Sequence, residues 1–289
     1  IALGTLLAHL VFPSLSWWVC AVIGAAVAPT NAALGAAIME DERVPVRVRR
    51  VLNVESGLND GIATPFVSFF LVAAVAGTAL GNGSRGQALL ELGLGLVVGA
   101  AVGAAGCLGL VAALRRGLAE PGFVPTATAA IGLLAYAGTV GLGGNGFVAA
   151  FCGGLAFGAC AGRRGPAELE YLEQTGTLVS LLVWLTFGVV AIPIMLERLS
   201  ALTVLYAVLS LTVVRMLPVA LALVGARLGR DSVLFIGWFG PRGLASLVFA
   251  LLGLEALGGA ADEAVAVIAT TVLLSVVAHG LTAAPLATR

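Results

Sequence analysis

Residues 51–67 read VLNVESGLNDGIATPFV, an apolar run that carries Asn53, Glu55, Ser56, Asn59 and Asp60 and then continues without a charge to residue 76. About 20 helical residues cross a hydrocarbon core of roughly 30 Å, so the run is long enough to span a membrane. A charge at the bilayer centre costs on the order of 2.5 to 3.5 kcal/mol, and an ionisable side chain kept there is a functional candidate. At about 100° per residue Ser56 and Asp60 share a helix face, Asn59 is adjacent, and Glu55 points about 140° away from Asp60. The plainer reading is a helix end, with Glu55 and Ser56 where water reaches them. Asp60, however, lies roughly ten residues, about 15 Å, beyond the Arg49 and Arg50 pair, which places it near mid-depth. A carboxylate there needs a counterion, a proton or a cation.

The rest of the chain has the same character. Of 289 residues, 60% are hydrophobic and 10% charged, with a mean hydropathy of +1.08, values that exclude an ordinary soluble domain. Ten apolar segments are predicted: 1–12, 17–38, 51–76, 88–114, 123–140, 146–161, 176–195, 200–226, 232–252 and 264–287. They form a single transmembrane domain over residues 1–289, of all-α class. Gly95, Gly99 and Gly103, at four-residue spacing in the fourth segment, predict a close helix contact through small residues. Cys20, Cys107, Cys152 and Cys160 form no CxxC pattern and read as small buried hydrophobes.

Orientation follows from arginine, because lysine is absent and cytoplasmic connections carry the excess of positive charge. Arg43, Arg47, Arg49, Arg50, Arg115, Arg116, Arg163, Arg164, Arg227, Arg230 and Arg289 fall on every second connection, and only Arg85 and Arg198 on the others. Residue 1 and the C-terminus are therefore expected in the cytoplasm. The chain opens inside an apolar run with neither Met nor a signal-peptide pattern, so helices ahead of residue 1 are expected.

Two segments contain helix-breaking sequences, Ala28-Pro29-Thr30-Asn31 in the second and Gly240-Pro241-Arg242-Gly243 in the ninth. Proline removes a backbone donor and glycine permits unwinding, which would leave helix ends free at membrane depth. A simple proline kink is the plainer alternative. From the arginine pattern the two segments run in opposite directions, and broken helices in oppositely oriented halves point to an inverted-repeat transporter. Arg242 places a fixed positive charge at the crossing, with Glu55 or Asp60 as its expected partner. Arg215 is expected to pair with a carboxylate or snorkel. His9 and His279 could relay protons, although a hydrogen-bonded structural histidine is the commoner case.

The strings VLNVESGLNDGIATPFV, APTNAALG and GWFGPRGLASLVFALL together resemble the NhaP/NHE-type sodium/proton antiporters of the monovalent cation:proton antiporter-1 family. The resemblance covers essentially the whole chain. It implies an inverted-repeat fold with two crossing discontinuous helices and about thirteen spans, of which these would be the last ten. It also implies a multi-pass protein of the cell membrane, a homodimer, and a role in pH homeostasis. By position, Asp60 resembles the ion- and proton-binding aspartate, preceded by Asn59. Ser56 and Thr30 resemble cation ligands, so that a monovalent cation would sit at Asp60, Ser56 and Thr30. Glu55 and Arg242 resemble a structural ion pair. The family usually has Thr-Asp where this chain has Thr30-Asn31.

The function so implied is secondary exchange of a monovalent cation, Na+ or K+, for H+ by alternating access, with Asp60 holding one or the other. No resident cofactor and no enzymatic activity are expected, and the partners are the bilayer, the cation and protons. A P-loop of the GxxxxGKS/T type is impossible without lysine. A channel would need a filter or charged rings, and an intramembrane hydrolase a second catalytic aspartate. Because of Asn31, a transport-inactive sensor or subunit of the same fold is the alternative.

Overall fold

The computed structural model describes residues 1–31, 41, 43–78, 84–162 and 166–287, and they form helices joined by turns, with no strand among them. In chain order the helices are α1 (Ala2–Val11), α2 (Trp17–Ala26), α3 (Val46–Thr78), α4 (Ser84–Arg115), α5 (Val124–Gly141), α6 (Gly146–Ala161), α7 (Pro166–Arg198), α8 (Ala201–Leu211), α9 (Val213–Ala222), α10 (Arg230–Trp238), α11 (Leu244–Leu257) and α12 (Asp262–Ala287). Each predicted apolar segment overlaps a helix, with α3 and α7 starting ahead of the predicted 51 and 176. The continuation of the second segment through residues 32–38, together with Arg163, Arg164 and Arg289, lies outside the described residues. Among the described residues, six runs are long and apolar enough to cross a membrane, and α1, α2 and α6 are shorter apolar helices.

Among the described residues, two segments are interrupted and a third leaves the helix early. The helix of the second segment ends at Ala26, the eighth breaks at Thr212 between α8 and α9, and the ninth leaves the helix between Trp238 and Leu244. The breaks in the second and ninth segments fall on their Pro and Gly residues. Pro65, Pro193, Pro218 and Pro285 lie inside continuous helices, so proline alone does not break a span.

The chain divides into two compact units, one made of Ile1–Ala79 with Val183–Arg289, the other of Leu80–Leu182. In the first unit α2 is buried on every side from Val19 to Ala26, and it packs with α1, α3, α11 and α12 around Ile23, Val67, Leu247 and Ile268. In a bilayer such burial gains no transfer from water, and close van der Waals packing holds the helices together instead. Ser16 caps α2 by accepting from the Val19 amide, and Ser200 with Thr203 forms a reciprocal capping box on α8. Both satisfy amide donors that the first helical turn leaves free.

The second unit is held by the predicted small-residue contact. A Cβ on Gly99 would lie 2.5 Å from Ala149 Cα, and one on Gly103 would lie 2.7 Å from Gly153 Cα. α4 and α6 therefore meet backbone to backbone. The cysteine expectation holds for Cys20 and Cys107, which are buried, and fails for the other two. Cys152 is half-buried and Cys160 exposed.

Candidate functional site

The site lies in the first unit, where the chain leaves α2 and meets the break between α10 and α11. After α2 ends, residues 28–31 are not helical, and the Asn31 amide donates to Pro241 O at 2.7 Å. The two interrupted segments thus meet through their backbones. A Cβ on Gly243 would lie 2.7 Å from Asn31 Cβ, so glycine is required for this approach.

Arg242 is 3% exposed and reaches back across the crossing. Its Nη1 donates to Ala28 O at 2.6 Å and to Pro29 O at 3.0 Å. These carbonyls follow the C-terminal end of α2, where free acceptors and the helix dipole concentrate partial negative charge, so a guanidinium there satisfies both. The expected pairing of Arg242 with Glu55 is therefore corrected. Glu55 is held by Arg215, through Nη1 to Oε1 and Nη2 to Oε2 at 2.9 Å. Arg215 Nη2 also donates to Ile236 O at 3.3 Å. The reason is positional. The break at Thr212 begins α9 just before Arg215, whose planar fork meets the carboxylate in two-point fashion. A Cβ on Gly240 would lie 2.5 Å from Arg215 Nε, so the same break that carries Arg242 makes room for Arg215.

The remaining predicted residues come together beside Arg242. Asn59 Nδ2 donates to Thr30 Oγ1 at 2.6 Å, and Thr30 Oγ1 lies 3.2 Å from Ser56 Oγ. Thr30, in the unwound segment, is thereby tied to two consecutive-turn positions of α3. Asp60 follows Asn59 on that helix. Asp60 Oδ1 and Asn59 Oδ1 are buried and accept no hydrogen bond among the described residues. Buried acceptors ordinarily find donors, and unpaired oxygens of this kind are what a hard monocation or, on a carboxylate, a proton takes up. Thr64 Oγ1 donates to the Asp60 carbonyl at 2.8 Å. Asn31 is present at the crossing, with its side chain against Gly243.

The site is separate from a cavity of about 760 Å3 in the first unit, lined by Arg43, Val48, Asp231, Phe235, Trp238 and Thr282 among others, but by none of Thr30, Ser56, Asn59 or Asp60. His9 packs edge-on against Trp17 with ring centroids 5.1 Å apart, away from the crossing residues. His279 is buried and bonded to Ser275 and Trp238. Sequence reasoning left Arg215 open between two roles and passed over Ser275 altogether. A mid-span arginine does signal a partner, whereas a lone serine in an apolar helix carries no such signal.

Two interrupted helices that meet beside a buried, donor-poor carboxylate define a class, the multi-pass membrane transport proteins of crossed discontinuous-helix design. The chain belongs to the family described as sodium/hydrogen exchanger, transmembrane, whose model matches residues 1–289. It is 28% identical over 282 residues to the K(+)/H(+) antiporter NhaP of Alkalimonas amylolytica, a match that covers 94% of this chain and 47% of that protein. The chain thus spans about half the length of the curated relative it matches. Its fold is that of the sodium proton antiporter MjNhaP1 from Methanocaldococcus jannaschii, with a TM-score of 0.72 at 23% identity, covering 99% of this chain and 76% of the other.

Proposed function

We propose that the protein exchanges a monovalent cation for protons at Asp60. The observation that carries this reading is the pair of buried oxygens, Asp60 Oδ1 and Asn59 Oδ1, that accept no hydrogen bond among the described residues, on adjacent residues of α3 of which Asn59 is tied to Thr30 and, through it, to Ser56 at the helix crossing. A cation drawn from water needs oxygen ligands to replace its hydration, and a carboxylate, an amide oxygen and two hydroxyls supply them. Either a cation or a proton neutralises Asp60, and the two exclude each other. Coupling then requires only that the crossing be reached from one side of the membrane at a time, as when one bundle rocks against another.

Glu55 stays outside this exchange because Arg215 already neutralises it, and Arg242 holds the end of α2 in place. Sodium and potassium are both candidates, since of the two relatives one is a potassium and the other a sodium antiporter by name. The same reading extends to a homodimer with residue 1 and the C-terminus in the cytoplasm. The test is dequenching of a pH-sensitive dye in everted vesicles carrying the full-length protein, on addition of sodium or potassium. Dequenching with one of them, lost in Asp60→Asn, is the expected result. Absence of dequenching with either cation from folded protein overturns the reading.

A further inference from the structure

In a continuous helix the Arg242 amide would donate to Trp238 O, four residues earlier. The break removes that bond, and two side chains of α12 stand in its place. His279 Nε2 lies 2.9 Å from Trp238 O, and the Arg242 amide donates to Ser275 Oγ at 2.8 Å. His279 Nδ1 faces Ser275 twice, its hydroxyl at 3.0 Å and its carbonyl at 2.7 Å. Trp238 O and Ser275 O are acceptors only, so a neutral ring donates to one of them, through Nε2 or Nδ1, and a protonated ring to both. Trp238 O also accepts from the Gly240 amide at 2.8 Å, and the result is a relay, Trp238 O to His279 to Ser275 to the Arg242 amide, spliced into one of the backbone bonds that the break opens.

The surroundings hold the relay rigid. Ser275 is 0% and His279 3% exposed. The imidazole stacks on Trp238 with centroids 5.2 Å apart and meets Phe239 edge-on at 5.9 Å. Trp238 Nε1 donates to Thr282 Oγ1 at 3.0 Å. Residues 275, 279 and 282 recur at helical spacing on one face of α12, so a single face grips the α10 side of the break and Arg242 itself.

We propose that His279 and Ser275 are positioning residues for the cation site. They set the register of the break at which Arg242 reaches Ala28 O and Pro29 O, and through that grip they hold Thr30 against Ser56 and Asn59. The proposal rests on the exchange reading above. Removing the relay leaves Trp238 O with the Gly240 amide alone and the Arg242 amide to find another partner, the crossing loosens, and the ligand oxygens lose their preset spacing. Cation affinity falls more than turnover does.

Reconstituted full-length protein is assayed for half-maximal cation concentration and maximal rate per folded transporter in His279→Ala, His279→Gln, His279→Asn and Ser275→Ala. His279→Ala and Ser275→Ala are expected to raise the half-maximal concentration about tenfold, the scale of one or two net hydrogen bonds, with maximal rates within about twofold of the parent. His279→Gln, whose terminal amide can still donate to Trp238 O, recovers much of the affinity, whereas the shorter His279→Asn does not. An unchanged half-maximal concentration in both alanine variants, or equal impairment by Gln and Ala, overturns the proposal. If the parent protein exchanges no cation, the exchange reading fails, and the relay is judged by thermal unfolding. Less-than-additive destabilisation in the double variant His279→Ala/Ser275→Ala supports one shared relay, and additive losses overturn it.

Discussion

Glu55 and Asp60 lie five residues apart on one helix and are separated by what surrounds them. Glu55 is bound in two-point fashion by Arg215, and their side chains are 25% and 8% exposed. Asp60 keeps a buried oxygen without a donor. Asp60→Asn is therefore expected to abolish cation-driven proton movement while folded protein still reaches the membrane, measured by vesicle dequenching beside a surface-expression control. Glu55→Gln or Arg215→Met, by contrast, strands a charge in a low-dielectric setting and should destabilise the protein by about 3–5 kcal/mol. In thermal unfolding the double variant should lose much less than the sum of the two, and additive losses would remove the pairing. Asn31 sits at the crossing with its amide hydrogen on Pro241 O. Asn31→Asp adds a negative charge beside a site for a cation and should lower the half-maximal cation concentration several-fold. An unchanged value would mean that position 31 does not act on the bound ion.

The elements carry consequences of their own, since each interrupted helix exposes ends that something else must satisfy. Arg242 serves the end of α2, α12 serves the gap between α10 and α11, and Gly243 lets the two breaks touch. Gly243→Ala puts a methyl 2.7 Å from Asn31 Cβ, a distance that forces the segments apart, and should weaken cation affinity together with stability. α4 and α6 depend on glycine in another way. Gly99→Ala would set a Cβ 2.5 Å from Ala149 Cα, and backbone cannot yield as a flexible side chain does. A loss of about 1–3 kcal/mol is expected, read as a lower unfolding temperature, whereas Gly109→Ala, with open space at its Cβ, should change little.

At the level of the whole molecule, the arginine pattern orients every connection at once. In protein freed of its native cysteines, Arg116→Cys lies in the exposed turn after α4, and Leu142→Cys in the exposed turn after α5. A membrane-impermeant maleimide should label the first in everted vesicles and the second in intact cells. The reverse pattern would invert the topology and with it the direction in which exchange is read.

Local chemistry was enough to expect from sequence a helical bundle built for a membrane, breaks at the Pro-bearing stretches of the second and ninth segments, and Ser56, Asn59 and Asp60 on neighbouring faces of one helix; Thr30 joined them only by resemblance, and the break at Thr212 was not foreseen. Apolar length, Pro and Gly placement, glycine spacing and the cost of buried charge are all legible along one strand of residues. The partners of the arginines were not. Glu55 and Arg215 are 160 positions apart, and which of two buried guanidinia meets a carboxylate depends on where the breaks aim them. Only the tertiary structure gave Arg215 to Glu55 and Arg242 to the carbonyls of α2. It alone set His279 and Ser275 into the opened bond of a helix more than thirty residues away, because a hydrogen bond is decided by the last ångström of approach, which no pattern of residue types records.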